Sequence, residues 1–175
     1  KDFKSIGNNN LQLLFHGSSL CNWCSIFKNG LVLNGNDFGA SITGKMFGNG
    51  VYFTNSSSKS AQYCGIKKGS EGVICLLLSI VSLGNECKKI VSDPFINYEL
   101  LKSKTYDSVW GQGKIIPSNG ISIETKFGSV YIPNEKLKKS NINSTLRYDE
   151  KVVYNTCQIL PKYIVTLNID RTMEK

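Results

Sequence analysis

The sequence predicts an α+β fold in which β-sheets dominate and a few short helices accompany them. Several short runs are rich in β-branched and aromatic residues, which favour strands. Two segments carry the spacing and end signals of helices, and they do not alternate with the strands as a doubly wound fold requires. The length of 175 residues suits one compact core, so we expect residues 1–175 to form a single domain.

The first predicted elements are a strand and a helix. Residues 11–15 form a short apolar strand, and the next helix has Asn22 in the N-cap position and Gly30 as its C-terminal stop. A glycine turn then leads to a short strand within residues 45–54. A second helix is expected over residues 56–64, opened by a polar cap and closed by a glycine.

The second half of the chain adds further strands. Residues 73–81 are almost continuously apolar and predict a buried strand. Residues 94–144 are expected to be mostly loop, with a hairpin at 121–132. Two more strands are predicted at 151–155 and 163–169, where β-branched and aromatic residues are frequent.

The chain is basic, with a net charge of +8 from 21 basic and 13 acidic residues. That charge fits an anionic partner such as a dinucleotide, a phosphorylated polymer or a nucleic acid, and it equally fits a solubilising surface. The basic residues are spread along the chain, with only short clusters such as 136–139. The charge distribution therefore gives only weak support to nucleic-acid binding by this segment alone.

The ends and cysteines indicate the compartment. Lys1 is not preceded by an initiator Met, and no apolar core of a signal peptide follows it, so we expect an excised domain that is not secreted. No apolar run is long enough to span a bilayer, so no membrane partner is expected. Six cysteines could form disulfides, but a chain of this length does not need them, and we expect a reducing compartment.

No metal site is expected from the histidine and cysteine content. The one histidine, His16, excludes a His-rich zinc site, and any His-dependent hydrolase would have to use it. A Cys-only zinc site needs two close pairs, and the chain offers one, Cys21 and Cys24. Their C-x-x-C spacing matches thioredoxin-like redox pairs, but half-buried thiols in a helix are commoner, and that is our interpretation.

Residues 39–45 read G-A-S-I-T-G-K, which is close to a phosphate-binding P-loop. The next residue is Met46, where the motif needs a Ser or Thr hydroxyl for Mg²⁺. Gly48 and Gly50 also break the helix whose N-terminus would receive the phosphates. We therefore do not predict a P-loop here.

Four short motifs carry more weight together than singly. A histidine after a strand is more often structural, a tyrosine in a helix is more often core, and a glutamate before a strand is commonly a solvated edge residue. The order of the four motifs along the chain changes this interpretation. The motifs are H-G-S at residues 16–18, G-V-Y-F at 50–53, S-K-S-A-Q-Y-C at 58–64 and Y-D-E at 148–150.

Together these motifs resemble the poly(ADP-ribose) polymerase catalytic domain, and in particular its nuclear, DNA-damage-responsive branch. The resemblance implies an ADP-ribosyltransferase fold with mostly antiparallel, split β-sheets and a few short helices around an NAD-binding cleft. It also implies that the helical regulatory domain of relatives is absent from this segment. The matching segments are L-F-H-G-S (14–18), T-G-K-M-F-G-N-G-V-Y-F (43–53), S-S-K-S-A-Q-Y-C (57–64), S-L-G-N (82–85), G-Q-G-K (111–114), L-R-Y-D-E-K-V-V-Y (146–154) and residues 158–167.

The resemblance assigns roles to individual residues. It makes His16, Tyr52 and Glu150 the H-Y-E catalytic triad, and it makes NAD+ the substrate, with no metal. The residues that it implies for NAD+ binding are His16, Gly17, Ser18, Tyr52, Ser60 and Tyr63.

The resemblance assigns these residues to different parts of NAD+. Gly17 would offer its backbone N–H and C=O to the nicotinamide carboxamide, and Ser60 would add its hydroxyl. Tyr63 would stack on the nicotinamide ring and Tyr52 would flank it, as suits a planar cation. His16 would hold the adenosine ribose by a hydrogen bond.

By the same resemblance Glu150 carries the chemistry. Breaking the nicotinamide–ribose bond releases a neutral molecule from a cationic one, so the leaving group needs no general acid. Positive charge develops on the ribose, and a nearby carboxylate stabilises it. In the family this glutamate also orients the acceptor for chain elongation. Lys151 follows it where the nuclear branch usually has Tyr, and Lys45 stands where relatives often have an aromatic residue.

The function expected from this resemblance is transfer of ADP-ribose from NAD+ to acceptor proteins, including the chain itself. Elongation would give poly(ADP-ribose), and nicotinamide would be released. The alternatives are a mono-ADP-ribosyltransferase of the same fold, a catalytically inactive NAD+ or ADP-ribose-binding module, and, from charge alone, a nucleic-acid-binding protein. The branch resemblance implies a nuclear location, and the cytoplasm is the alternative.

Overall fold

A computed structural model of the chain describes residues 2–6, 10–33, 46–67, 70–134 and 136–170. The P-loop-like stretch at 39–45, which includes Lys45, lies outside the described residues. Within the described residues, the strands are β1 (Leu11–Gly17), β2 (Val51–Phe53), β3 (Glu71–Ser82), β4 (Glu86–Lys89), β5 (Ser108–Gly111), β6 (Ile115–Pro117), β7 (Gly120–Thr125), β8 (Gly128–Pro133), β9 (Leu137–Lys139), β10 (Glu150–Val153) and β11 (Ile159–Asp170).

The strands form two main sheets. The five-stranded sheet has the order β11-β3-β1-β8-β7, and the four-stranded sheet has the order β2-β10-β5-β4, while β6 pairs with β9. These strands pair in antiparallel fashion except for β1 with β8 and β4 with β5, which are parallel. The mostly antiparallel, split arrangement confirms the predicted α+β fold.

Three short helices, α1 (Trp23–Asn29), α2 (Ser57–Ala61) and α3 (Tyr98–Ser103), accompany the sheets within the described residues. The predicted stop of α1 is confirmed, because the Gly30 N–H donates to the Ile26 carbonyl and Gly30 adopts φ +73°. Asn22 occupies the predicted N-cap position, but its side chain makes no capping hydrogen bond. The second helix is shorter than predicted. None of these helices is long and apolar enough to cross a membrane.

The prediction of mostly loop over residues 94–144 is wrong, although its hairpin at 121–132 is confirmed as β7 and β8. The rest of this stretch contains α3, β5, β6 and β9. Helix α3 begins at a polar cap, since the Asn97 side chain accepts a hydrogen bond from the Leu100 N–H at 2.9 Å. Strand β5 is central to its sheet because it pairs with both β10 and β4.

Apolar side chains from both main sheets form the core. One buried cluster joins β1 and β3 of the larger sheet to β2 and β10 of the smaller one, and a second cluster covers the opposite face of the smaller sheet. The alternation along β10 explains this, since Val153 belongs to the first cluster and Val152 to the second. Strand β10 is therefore buried on both faces.

The two sheets are joined where β1 ends. Phe15 and Thr54 exchange backbone hydrogen bonds of 2.9 and 3.0 Å, which form an isolated antiparallel bridge between the sheets. The bridge brings His16, the next residue of β1, beside Tyr52 of β2. A cleft opens at this junction.

Candidate active site

A cavity of about 610 Å³ lies beside the junction of the two sheets. Its volume falls within the range of small-molecule sites, about 300–1,000 Å³. The ends of β1 and β2, the helix α2 and the start of β10 contribute to its wall. All seven site residues predicted from the sequence line this one cavity: His16, Gly17, Ser18, Tyr52, Ser60, Tyr63 and Glu150.

Glu150 and Lys59 form an ion pair in the wall of the cavity. Glu150 is 7% exposed at the start of β10, and its Oε1 lies 3.0 Å from Lys59 Nζ. Lys59 also donates a hydrogen bond of 3.0 Å to the Tyr63 hydroxyl. Burial opposes the charge on Lys59, but the hydrogen bond to Tyr63 and the charge of Glu150 outweigh it and raise the pKa of Lys59. These two are the charged side chains among the described residues that line the cavity.

The residue before Glu150 fixes the start of β10. Asp149 is buried, and its Oδ1 accepts a hydrogen bond from the Gly113 N–H at 2.7 Å. Its Oδ2 accepts another from Asn55 Nδ2 at 2.9 Å, and its backbone oxygen accepts one from the Thr54 hydroxyl at 2.8 Å. Both carboxylate oxygens and the peptide oxygen are thus satisfied. This anchoring restricts the position of the Glu150 backbone.

The environment of His16 determines its tautomer. Its Nδ1 lies 2.8 Å from the backbone oxygen of Tyr52. Because a carbonyl oxygen only accepts hydrogen bonds, Nδ1 carries the proton. Burial lowers the pKa of His16, although the hydrogen bond to Tyr52 opposes the shift. The ring is therefore neutral, and Nε2 keeps a lone pair that can accept a hydrogen bond.

Gly17 is required by the packing of α2 against the end of β1. A Cβ at this position would lie 2.0 Å from the Ser60 carbonyl oxygen and 3.3 Å from Cys64 Sγ. Ser60 itself is buried and lines the cavity beside Gly17. The close contact between the two backbones is a structural reason for this glycine that the sequence analysis did not include.

Two tyrosine rings line the cavity in different ways. The Tyr52 hydroxyl donates to the Gly48 carbonyl at 2.8 Å and accepts from the Phe47 N–H at 2.9 Å, so the turn before β2 holds it. Burial raises the pKa of Tyr52 to about 12, and the charge of Glu150 contributes in the same direction. Tyr63 is 39% exposed, which leaves part of its ring open to the cavity.

The sequence analysis missed several lining residues. Lys59 stands inside a quoted motif, but only the fold brings it to Glu150. An apolar part of the wall was also missed, although the apolar run directly after the Gly30 stop is a signal that could have indicated it. This apolar part consists of Ile26, Leu31, Val32 and Leu33. Within the described ranges, no three His, Cys, Asp or Glu side chains come together as a metal site.

Lys151 points away from this cavity into the protein. Its Nζ lies 2.7 Å from Glu86 Oε1 and 3.7 Å from the centre of the Trp110 ring, and the side chain is 3% exposed. Glu86 also accepts a hydrogen bond from Asn10 Nδ2 at 3.1 Å. Burial lowers the pKa of Lys151, while Glu86 opposes that shift. The pair links β10 and β4 to the segment just before β1.

Comparisons with known proteins relate this chain to one protein family. The family model of the poly(ADP-ribose) polymerase catalytic domain matches residues 1–169. The chain is 36% identical over 165 residues to poly(ADP-ribose) polymerase 2 of Homo sapiens, covering 92% of this chain and 27% of that relative. It is 35% identical over 171 residues to poly(ADP-ribose) polymerase 1 of Xenopus laevis, covering 97% and 16% respectively. It is 36% identical over 162 residues to poly(ADP-ribose) polymerase 2 of Arabidopsis thaliana, covering 92% and 24%. The chain thus spans less than a third of the length of these relatives.

Proposed function

The chain belongs to the poly(ADP-ribose) polymerase catalytic-domain family, and from this membership and the cavity we propose that it transfers ADP-ribose from NAD+ to acceptor proteins, itself included. Nicotinamide leaves, and further transfers elongate the product to poly(ADP-ribose). The observation that carries the proposal is the position of the nearly buried Glu150, which lies beside Lys59 in the cavity that the predicted NAD+-binding residues line.

The cavity offers suitable partners for the nicotinamide end of NAD+. Gly17 lines the cavity at the end of β1, and in this proposal its backbone N–H and C=O bind the carboxamide. Ser60, which packs against Gly17, adds a hydroxyl to the same group. The partly exposed ring of Tyr63 stacks on the cationic pyridinium face, and the ring of Tyr52 flanks it.

His16 binds substrate and does not move protons in this proposal. With its Nδ1 proton donated to the Tyr52 carbonyl, Nε2 accepts a hydrogen bond from a ribose hydroxyl of the adenosine half. The neutral ring costs less to bury than an imidazolium would. Ser18 lines the cavity next to Gly17 and contributes to the same binding surface.

Glu150 stabilises the transition state. The bond between nicotinamide and the ribose carbon breaks, the electron pair leaves with the now neutral nicotinamide, and the acceptor nucleophile forms the new bond to that carbon. Positive charge accumulates on the ribose in between, and a carboxylate held in a largely enclosed site stabilises it more strongly than one in water. Lys59 holds the carboxylate at 3.0 Å and prevents it from turning away.

The presence of Glu150 favours polymer formation over single transfers, because in the proposed role it also orients the ribose hydroxyl that accepts the next unit. A mono-ADP-ribosyltransferase of the same fold stays the alternative product class, and an inactive NAD+-binding module is the alternative without turnover. We further propose that the parent protein acts in the nucleus, and that DNA reaches it through regions outside residues 1–175.

The proposal is tested by nicotinamide release from NAD+ together with binding of benzamide, a nicotinamide analogue. Wild-type protein should bind benzamide and release nicotinamide from NAD+. The Glu150→Gln variant should still bind benzamide but should no longer release nicotinamide. The matched control is Glu124→Gln, since Glu124 is exposed on β7, and it should behave as the wild type. Benzamide binding with no release from the wild type would instead support the inactive module.

A further inference from the structure

The C-x-x-C pair is more exposed than the sequence analysis predicts. The sequence analysis favours half-buried thiols, but both Cys21 and Cys24 are exposed and free. Cys21 lies in the 3-10 turn Leu20–Asn22, and Cys24 lies in the first turn of α1, which follows directly. Both thiols are therefore accessible to reagents in solution.

The two residues between these cysteines hold the cavity wall. Asn22 Nδ2 donates a hydrogen bond of 2.9 Å to the Ser18 hydroxyl, and Trp23 Nε1 donates one of 3.2 Å to the Ser18 backbone oxygen. Ser18 follows Gly17, and both Ser18 and Asn22 line the cavity. A change in the backbone path between Cys21 and Cys24 would therefore alter the two hydrogen bonds to Ser18.

A disulfide between Cys21 and Cys24 requires such a change. Residues three apart on a helix have Cβ atoms about 5–6 Å apart. The Cβ atoms of a disulfide lie about 3.5–4.5 Å apart, although the Cα spacing of a helical turn is within the range that disulfides accept. Closure is thus possible, but it tightens the turn and shifts Asn22 and Trp23.

We propose that Cys21 and Cys24 form a redox modification site, at which a small-molecule disulfide such as oxidised glutathione closes an intramolecular disulfide that weakens NAD+ binding. The regulation rests on the proposed function, because it acts on the same cavity. Loss of the hydrogen bonds to Ser18 is the physical link between the thiols and the substrate.

The chemistry balances with that oxidant. The thiolate of one cysteine, having lost its proton, attacks the small-molecule disulfide and displaces one thiolate from it. The second cysteine, also deprotonated, attacks the resulting mixed disulfide and displaces the other thiolate. The chain loses two protons and two electrons, and the oxidant is reduced to two thiols.

The other cysteines are poorer candidates. Cys64 is buried, its one S–H lies within hydrogen-bonding distance of both the Ser60 and the Cys75 carbonyl oxygens, and burial raises the pKa of its thiol. Cys75, Cys87 and Cys157 are half-buried. Exposure therefore favours reaction at the C-x-x-C pair.

The experiment equilibrates the whole chain in buffers of graded oxidised to reduced glutathione. Peptide mapping by mass spectrometry should locate a disulfide at Cys21 and Cys24, with the loss of two hydrogens. Tryptophan fluorescence should change as Trp23 moves, and this readout needs no NAD+. The NAD+ affinity should fall by about three- to tenfold, the effect of losing one hydrogen bond, and dithiothreitol should restore it.

The double variant Cys21→Ser with Cys24→Ser should keep its NAD+ affinity under oxidation, whereas the control Cys157→Ser should respond as the wild type. No disulfide at this pair, or a disulfide that leaves both the fluorescence and the NAD+ affinity unchanged, overturns the inference. A reduced wild type that binds no NAD+ contradicts the proposed function instead. In that case a mapped disulfide with a fluorescence change still supports the modification site.

Discussion

Lys59 Nζ lies 3.0 Å from Glu150 Oε1 and 3.0 Å from the Tyr63 hydroxyl, so one ammonium group ties the start of β10 to the turn after α2. The two partners have different proposed tasks, since Tyr63 binds the nicotinamide ring and Glu150 stabilises the reacting ribose. In this proposal Lys59 is therefore a positioning residue that couples substrate binding to chemistry.

Removal of this tie should affect turnover more than binding. Lys59→Met deletes the ion pair and the hydrogen bond to Tyr63, and we expect kcat for nicotinamide release to fall by about 10- to 100-fold, the effect of losing a charge-assisted hydrogen bond. KM for NAD+ should change by less. Lys59→Arg should recover part of kcat, and Lys138→Met, on the exposed strand β9, should have no effect. An equal loss from both methionine variants would exclude the positioning role.

The lowered pKa of His16 predicts a pH dependence of stability. Burial lowers the pKa of His16, so the folded protein binds its proton less readily than the unfolded chain does. The contribution of His16 to the free energy of unfolding is fully present above the pKa of histidine in the unfolded chain, about 6.5. It is lost as the pH falls from there towards the lower pKa of His16 in the folded protein. His16 is the one histidine of the chain. Denaturant unfolding between pH 5.5 and 7.5 should therefore show a slope of up to about 1.4 kcal/mol per pH unit that His16→Gln removes. A slope that survives in His16→Gln would contradict this explanation.

Asp149 should contribute to both stability and turnover. Its two carboxylate oxygens accept hydrogen bonds from the Gly113 N–H and from Asn55 Nδ2. Asp149→Asn replaces one acceptor by an NH₂ group that faces a donor, so we expect the free energy of unfolding to fall by about 1–3 kcal/mol. Because Glu150 is the next residue, kcat should fall as well. The control is Asp93→Asn, whose carboxylate forms an ion pair with Lys89 near the surface. Equal effects of the two substitutions would argue against the anchoring role.

The ion pair of Lys151 and Glu86 predicts a non-additive result. Lys151→Met leaves the Glu86 carboxylate, whose side chain is only 10% exposed, without its ion-pair partner and should lower the free energy of unfolding by about 3–5 kcal/mol. The double variant with Glu86→Leu removes both charges, so it should recover much of that loss. Chemical denaturation of both single variants and the double variant measures the coupling. Additive losses would show that the pair does not act as a unit.

The sequence predicted the strands whose pattern is strongly apolar, but not those created by pairing. The apolar run of β3 and the β-branched and aromatic content of β11 are local signals. Strand β4 reads Glu-Cys-Lys-Lys, which has no apolar pattern, and it forms because its backbone pairs with β5. Strand β9 reads Leu-Lys-Lys and is exposed, so no burial signal marks it. Helix α3 could have been predicted from the cap residue Asn97.

The residues of the candidate site could likewise be predicted in part from the sequence. Its seven predicted residues belong to motifs whose order along the chain carries information, and the fold brings them to one cavity. The partnership of Lys59 with Glu150 was not predictable, because it depends on how closely α2 approaches the start of β10. The exposure of Cys21 and Cys24 was also missed, since helical spacing alone does not say which face of a short helix is covered.

The most direct test of the central claim is incubation of the chain with adenine-labelled NAD+, comparing the wild type with Glu150→Gln on a denaturing gel. We predict a high-molecular-weight smear from the wild type that Glu150→Gln abolishes or reduces to single additions. Polymer of equal length and amount from both proteins would contradict the proposed role of Glu150. No labelled product from either protein, although both bind benzamide, would contradict ADP-ribosyl transfer by this chain.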